Sequence, residues 1–187
     1  TLRVQQKFGA VEFVAFDDHE KLAQTQSDAV FTEYPLNPLL QRVDFAKVRA
    51  AIGITPLIVD DTLCAWQGFN TLDVADIAVT SLTKFFSGIG DVMAGGLILN
   101  KKSPYYAKFK EKLDGIYDDT LYADDAKTLA QNCSDFDERI GKIVENAGRI
   151  SNFLTTHSPK SIINSFNVLI SPVCSHRQYA TCYYDNF

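Results

Sequence analysis

An apolar, β-branched run ends at Val79, and three hydroxyls, Thr80, Ser81 and Thr83, then crowd the segment that also carries the ammonium of Lys84. Such a cluster at a strand end can hold an anion. It also offers one reactive amine, since setting an ammonium among apolar groups such as Phe85 and Phe86 favours the neutral, nucleophilic form that attacks carbonyls. Taken alone, S-x-T-K reads more readily as a surface lysine following a buried strand. A second signal lies upstream in Pro56-Leu57-Ile58-Val59-Asp60-Asp61-Thr62, an apolar run closing on paired carboxylates. That is the composition of a buried parallel strand, and acids at its carboxyl end sit at the edge where open α/β sheets bind ligands. An amine for an aldehyde, an acid for a pyridine nitrogen and hydroxyls for a phosphate are together what pyridoxal phosphate requires.

Four blocks in order carry a resemblance: Glu33-Tyr34-Pro35-Leu36-Asn37-Pro38-Leu39-Leu40, Val59-Asp60-Asp61-Thr62, Ser81-Leu82-Thr83-Lys84 and Asp91-Val92-Met93-Ala94-Gly95-Gly96. In order and spacing they resemble the Cys/Met-metabolism (transsulfuration) family of pyridoxal-phosphate enzymes, from about Phe8 to about Pro159. Within that family the run Ser81 to Asn100 is most similar to the fungal cystathionine γ-synthase branch, also described as O-succinylhomoserine (thiol)-lyase. The resemblance implies a fold-type I, aspartate aminotransferase-like large domain with a mostly parallel sheet flanked by helices. It makes Lys84 the covalent cofactor lysine and proton shuttle, pairs Asp60 with the pyridinium, and gives Ser81 and Thr83 to the phosphate. Asn37 matches the asparagine that bonds the ring's phenolic oxygen, although Asn37-Pro38 also reads as plain turn chemistry. Thr62 is placed near the ring, while Asp61 and Thr62 read equally as solvent-side turn residues.

The activity implied is γ-substitution on an O-acylhomoserine by cysteine or another thiol, giving cystathionine for methionine biosynthesis. Two alternatives stay open: a C–S lyase of the same family, and a catalytically incomplete fragment or homologue. The family's N-terminal tyrosine and arginine that reach a neighbouring subunit's phosphate, its ring-stacking tyrosine and its C-terminal carboxylate-binding arginine have no counterparts here, and Arg177 lacks the matching context. The expectation is therefore an incomplete large domain over 1–158, the start of a small domain over 159–187, little turnover by the chain alone, and a homo-oligomer, dimer or tetramer, for the complete protein.

Composition sets bounds on partners. The 187 residues are 46% hydrophobic and 12% aromatic, ample for a core. A net charge of -5 without a basic cluster argues against a nucleic-acid or anionic-membrane surface, leaving small amino-acid substrates as the expected partners. No apolar stretch is long enough to span a bilayer, and the chain begins at Thr1 rather than Met. Cys64, Cys133, Cys174 and Cys182 and the histidines His19, His157 and His176 show no zinc or haem spacing; the Cys174/His176 pair reads as structural, and a cytoplasmic setting is expected.

The elements that must position the chemistry follow from pattern. Strands are expected over Gly9–Phe16, Ala29–Glu33, Pro56–Val59, Ile77–Val79, Gly95–Asn100 and Phe166–Ile170, with a short helix from Lys21 to Thr25. Asp44 caps a helix over Phe45–Ile52. Ser103 and Pro104 start another from Tyr105 to about Leu113, and Phe136, Ile140, Ile143, Val144, Ala147, Ile150, Phe153 and Leu154 form the stripe of a long one. Strand–helix–strand order predicts right-handed crossovers and a mostly parallel sheet. Ser87 to Gly96 is glycine-rich, yet Leu97 stands where a P-loop needs Lys and Ser or Thr, so these glycines read as a backbone turn beneath a cofactor.

Overall fold

The computed structural model describes residues 9–38, 40–64 and 69–157. The expected strand at Phe166–Ile170, the Cys174/His176 pair, Arg177 and the segment 159–187 lie outside the described residues.

Asp18 caps α1 (His19–Gln24), its carboxylate accepting the Lys21 N–H at 3.0 Å. Asp44 does the same for α2 (Phe45–Ile52), accepting from Lys47 N–H at 3.1 Å, and Gly53, at φ +58°, ends that helix with its N–H on the Arg49 carbonyl. The apolar runs become β1 (Val30–Glu33), β2 (Leu57–Asp60), β3 (Ile77–Ser81) and β4 (Gly95–Leu99), in spatial order β1-β2-β3-β4. The first two pairings are parallel, with Glu33 beside Asp60 and Asp60 beside Val79. The third is antiparallel, from Ile77 opposite Leu99 to Ser81 opposite Gly95. After β3 the chain turns straight back, without the crossover helix that a parallel neighbour would need, and Leu82 N–H meets the Ala94 carbonyl at 3.0 Å. The sheet is thus mostly parallel with an antiparallel edge.

Gly9–Phe16 is not a strand. It runs as irregular chain beside α1, tied by Lys21 to Glu12 at 3.1 Å, with Phe13 exposed; strand composition becomes a strand only where a sheet edge takes it up. Three helices follow: α3 (Tyr106–Ile116), α4 (Ala123–Asn132) and α5 (Phe136–His157).

Tyr34, Val43, Phe45, Val48, Leu57, Val59, Cys64 and Ala75 form the main core, in which the rings of Tyr34, Phe45 and Phe69 pack with centroids 4.7–5.5 Å apart. A smaller core under α5 joins Phe136 and Ile140 to Phe85, Phe86 and Val144. Buried Asp76 ties the sheet to its helices. Its carboxylate accepts Leu57 N–H at 2.8 Å, Arg49 Nη2 at 3.2 Å and Ser103 Oγ at 2.6 Å. Asp76→Ala strands the buried Leu57 donor and is expected to cost about 1–3 kcal/mol, read as a lower urea midpoint with an unchanged slope.

Candidate functional site

Because β1, β2 and β3 run parallel, their carboxyl ends, Glu33, Asp60 and Ser81, come to one edge of the sheet. A cavity of about 590 Å³ opens there, a usual size for a cofactor-sized ligand. Asn37 reaches it from the turn after β1, Thr62 and Leu63 from the turn after β2, Lys84 and Phe85 from the turn after β3, and Arg139 and Ile143 from α5.

One side chain organises the carboxylate wall. The Thr62 hydroxyl donates to Asp60 Oδ1 at 2.6 Å and accepts the Ser81 N–H at 2.8 Å, while Thr62 N–H adds a second bond to the same Oδ1 at 3.0 Å. Asp60 is thereby fixed in orientation, and the ends of β2 and β3 are locked together. Asp61 turns the other way. It is fully buried, with Oδ2 accepting the Thr71 hydroxyl at 2.8 Å and Oδ1 without a hydrogen-bond partner. Burial pushes its carboxyl above the usual carboxylate range; the hydroxyls of Thr71 and Thr80 oppose this, and the charge of Asp60 adds to it. The solvent-side reading of Asp61 is therefore replaced: strand alternation sends Asp60 to the cavity and Asp61 to the interior.

Lys84 sits in a π-helical turn over Leu82–Phe86, where its own backbone, at φ -83° and ψ -113°, departs from helix. The turn is closed by Ser87 N–H on the Leu82 carbonyl at 2.9 Å and Gly88 N–H on the Lys84 carbonyl at 2.7 Å. Lys84 is exposed on the cavity rim and not encased by its phenylalanines, which pack against the small core under α5. Thr83 is the one expected residue outside the lining: its hydroxyl donates to the Ala94 carbonyl at 3.3 Å and accepts Ala94 N–H at 3.1 Å, holding the returning chain against the turn. Asn37, at the mouth, sends its N–H to Glu33 Oε2 at 3.3 Å.

These groups fit pyridoxal phosphate. A fixed carboxylate suits the ring nitrogen, the Lys84 amine the aldehyde, the Ser81 hydroxyl the phosphate and the Asn37 amide the phenolic oxygen. Among the described residues no group of three or more His, Cys, Asp or Glu could hold a metal ion, and no helix is long and apolar enough to cross a membrane.

Glu33 and Arg139 line the cavity without having been expected from sequence. Arg139 had a signal: it falls three residues after Phe136 and four before Ile143, a charge within the apolar stripe of α5.

Comparison with known proteins places the chain in a family. The model of the family described as "Cys/Met metabolism PLP-dependent enzyme" matches residues 2–182. A cystathionine gamma-synthase from Neurospora crassa is 37% identical over 131 residues, 69% of this chain and 21% of that protein. An alanine racemase, ungC, from Aspergillus violaceofuscus is 40% identical over 117 residues, 62% of this chain and 20% of that protein. Among solved structures, cystathionine gamma-lyase from Lactobacillus plantarum, complexed with L-serine, superposes with a TM-score of 0.69 at 21% identity, covering 90% of this chain and 48% of that one. The chain spans about a fifth to a quarter of the length of the curated relatives it matches.

Proposed function

This chain belongs to the Cys/Met-metabolism family of pyridoxal-phosphate-dependent enzymes, and on that premise we propose that it is the cofactor-binding part of an enzyme that replaces the γ-acyloxy group of an O-acylhomoserine with a thiol, giving cystathionine from cysteine. The observation that carries the reading is the meeting of Asp60, Ser81 and Lys84 on one cavity at the carboxyl edge of the sheet. Bound there, pyridoxal phosphate supplies an electron sink for charge left at the α-carbon of the amino acid.

The residues divide the remaining work. Asp60, pinned by Thr62, holds a negative charge against the ring nitrogen and keeps it protonated. Ser81 donates to the phosphate, Asn37 orients the ring through its phenolic oxygen, and Lys84 Nζ binds the cofactor and moves protons on and off the substrate carbons. Thr83 is proposed as a second phosphate donor, which asks its hydroxyl to exchange the Ala94 carbonyl for a phosphate oxygen. Residues 1–158 form the large domain and 159–187 begin a small one, in a homo-oligomeric, cytoplasmic enzyme of methionine biosynthesis.

The choice of synthase rests on the similarity of Ser81 to Asn100 to the fungal branch and on the Neurospora relative. Racemisation is a second reading with its own support in the 40% identical relative, because it needs only proton transfer at the α-carbon. The complete protein carrying this chain, loaded with pyridoxal phosphate, is assayed with O-succinylhomoserine and cysteine, with cystathionine alone, and with L-alanine. Cystathionine formation in the first assay is expected. A 2-oxo acid from cystathionine as the main product selects the lyase, and D-alanine the racemase.

A further inference from the structure

We infer that Arg139 is the positioning residue for Lys84: from α5 it grips the backbone immediately after the lysine and so sets the direction in which the amine leaves the turn. This rests on the reading of Lys84 as the cofactor lysine. Arg139 Nη1 donates to the Phe85 carbonyl at 2.6 Å and Nη2 to the Phe86 carbonyl at 3.1 Å. The same Nη2 reaches the Asn132 carbonyl at 3.1 Å, and Nε donates to Asp135 Oδ1 at 3.2 Å. These contacts occupy four of the five N–H groups of a guanidinium. The side chain is mostly buried, at 22% exposure. A guanidinium so engaged is a poor receptor for a substrate carboxylate, although it lines the cavity.

The backbone it grips needs gripping. Lys84 has non-helical dihedrals inside a π-helical turn, where Ser87 N–H reaches back five residues to the Leu82 carbonyl and Gly88 N–H four to the Lys84 carbonyl, so no uniform α-helical ladder fixes the lysine's backbone. Gly88 completes the fit. It lies at φ +81°, and a Cβ added to it would come within 2.4 Å of Arg139 Nη1, so the chain passes the guanidinium where no side chain has room. Behind it, Asn132 Nδ2 donates to Ser87 Oγ and to Asp91 Oδ1, each at 2.9 Å, which anchors the far side of the turn to α4. Two planar donors meeting two consecutive carbonyls is a fork geometry that a lysine cannot copy.

The test uses the full chain incubated with pyridoxal phosphate, trapped with borohydride and mapped for the pyridoxyl label, beside Arg139→Lys and Arg139→Gln, with thermal unfolding measured on each. Both variants are expected to label Lys84 roughly tenfold more slowly, since small displacements of a reacting group cost that much or more. The pH profile of labelling should shift, which a loss of folded protein would scale without moving. Arg139→Lys, which keeps the charge, should not rescue. Wild-type labelling rate and pH profile in Arg139→Lys, or in both variants, overturns the inference. If the Arg139 variants do not fold, Gly88→Ala carries the test, since it both displaces the guanidinium and strains the turn at φ +81°, and unchanged labelling there overturns the inference equally. Absence of label in the wild-type chain, or label on another lysine, instead overturns the reading of Lys84 itself.

Discussion

Lys84→Ala is expected to abolish covalent attachment of pyridoxal phosphate, to remove the visible band at about 420 nm, and to lower turnover of the complete enzyme by about 10⁴-fold, because the proposed function gives one amine the tasks of covalent anchor and proton shuttle. No neighbouring lysine can stand in. Lys101 and Lys102 are the next in sequence, but they follow β4, which runs antiparallel to β3 and ends with Leu99 opposite Ile77. They therefore emerge at the amino edge of the sheet, while Lys84 emerges at the carboxyl edge. Strand β3 separates the two edges by roughly 13 Å at ~3.3 Å per residue. A spectrum and a steady-state assay of the variant check this, and a surviving band would move the anchor elsewhere.

The second large effect concerns the paired acids. Asp60→Asn keeps the hydrogen-bonding shape beside Thr62 but deletes the charge facing the cavity. An ion pair at about 4 Å with an effective dielectric near 20 is worth about 4 kcal/mol, so turnover should fall roughly a thousandfold. Asp61→Asn should leave turnover within a few-fold of wild type, because its side chain is buried against Thr71, away from the cavity. Its effect should fall on stability and its pH dependence. Burial raises the Asp61 carboxyl above its unfolded value, so the folded protein binds this proton more tightly than the unfolded chain. Its contribution is then fully present below the unfolded carboxylate pKa and is lost as pH rises through the folded one. Asp61→Asn removes that loss, and urea midpoints across the acid to neutral range should decline less with pH than in wild type. Equal turnover losses in the two variants would remove the distinction between the acids.

Much of this architecture is written in local pattern. Asp44 before Phe45, Val48 and Ile52 announces α2 and its cap, and the runs ending at Asp60 and Ser81 announce the strands whose ends build the cavity. Long-range choices are less legible. Gly9–Phe16 has strand composition, but strand formation depends on a neighbour that composition does not specify. The direction of β4 was hidden because Ser87 to Ala94 shows glycines but not whether they complete a crossover or a reversal. Helix α4 escaped notice because Leu129 is its single buried residue, leaving little apolar periodicity to read. In the site, Asn37, Asp60, Ser81 and Lys84 line one cavity, while the Thr83 hydroxyl is taken up by Ala94. Arg139 lies 55 residues beyond Lys84, and only packing of α5 on the turn reveals the contact.

The most direct measurement on the central claim is peptide mapping of the chain after incubation with pyridoxal phosphate and reduction with borohydride. The pyridoxyl group is expected on Lys84, in the peptide containing Ser81-Leu82-Thr83-Lys84. Recovery of the label on Lys101, Lys102 or any other lysine, with Lys84 unmodified, would contradict it.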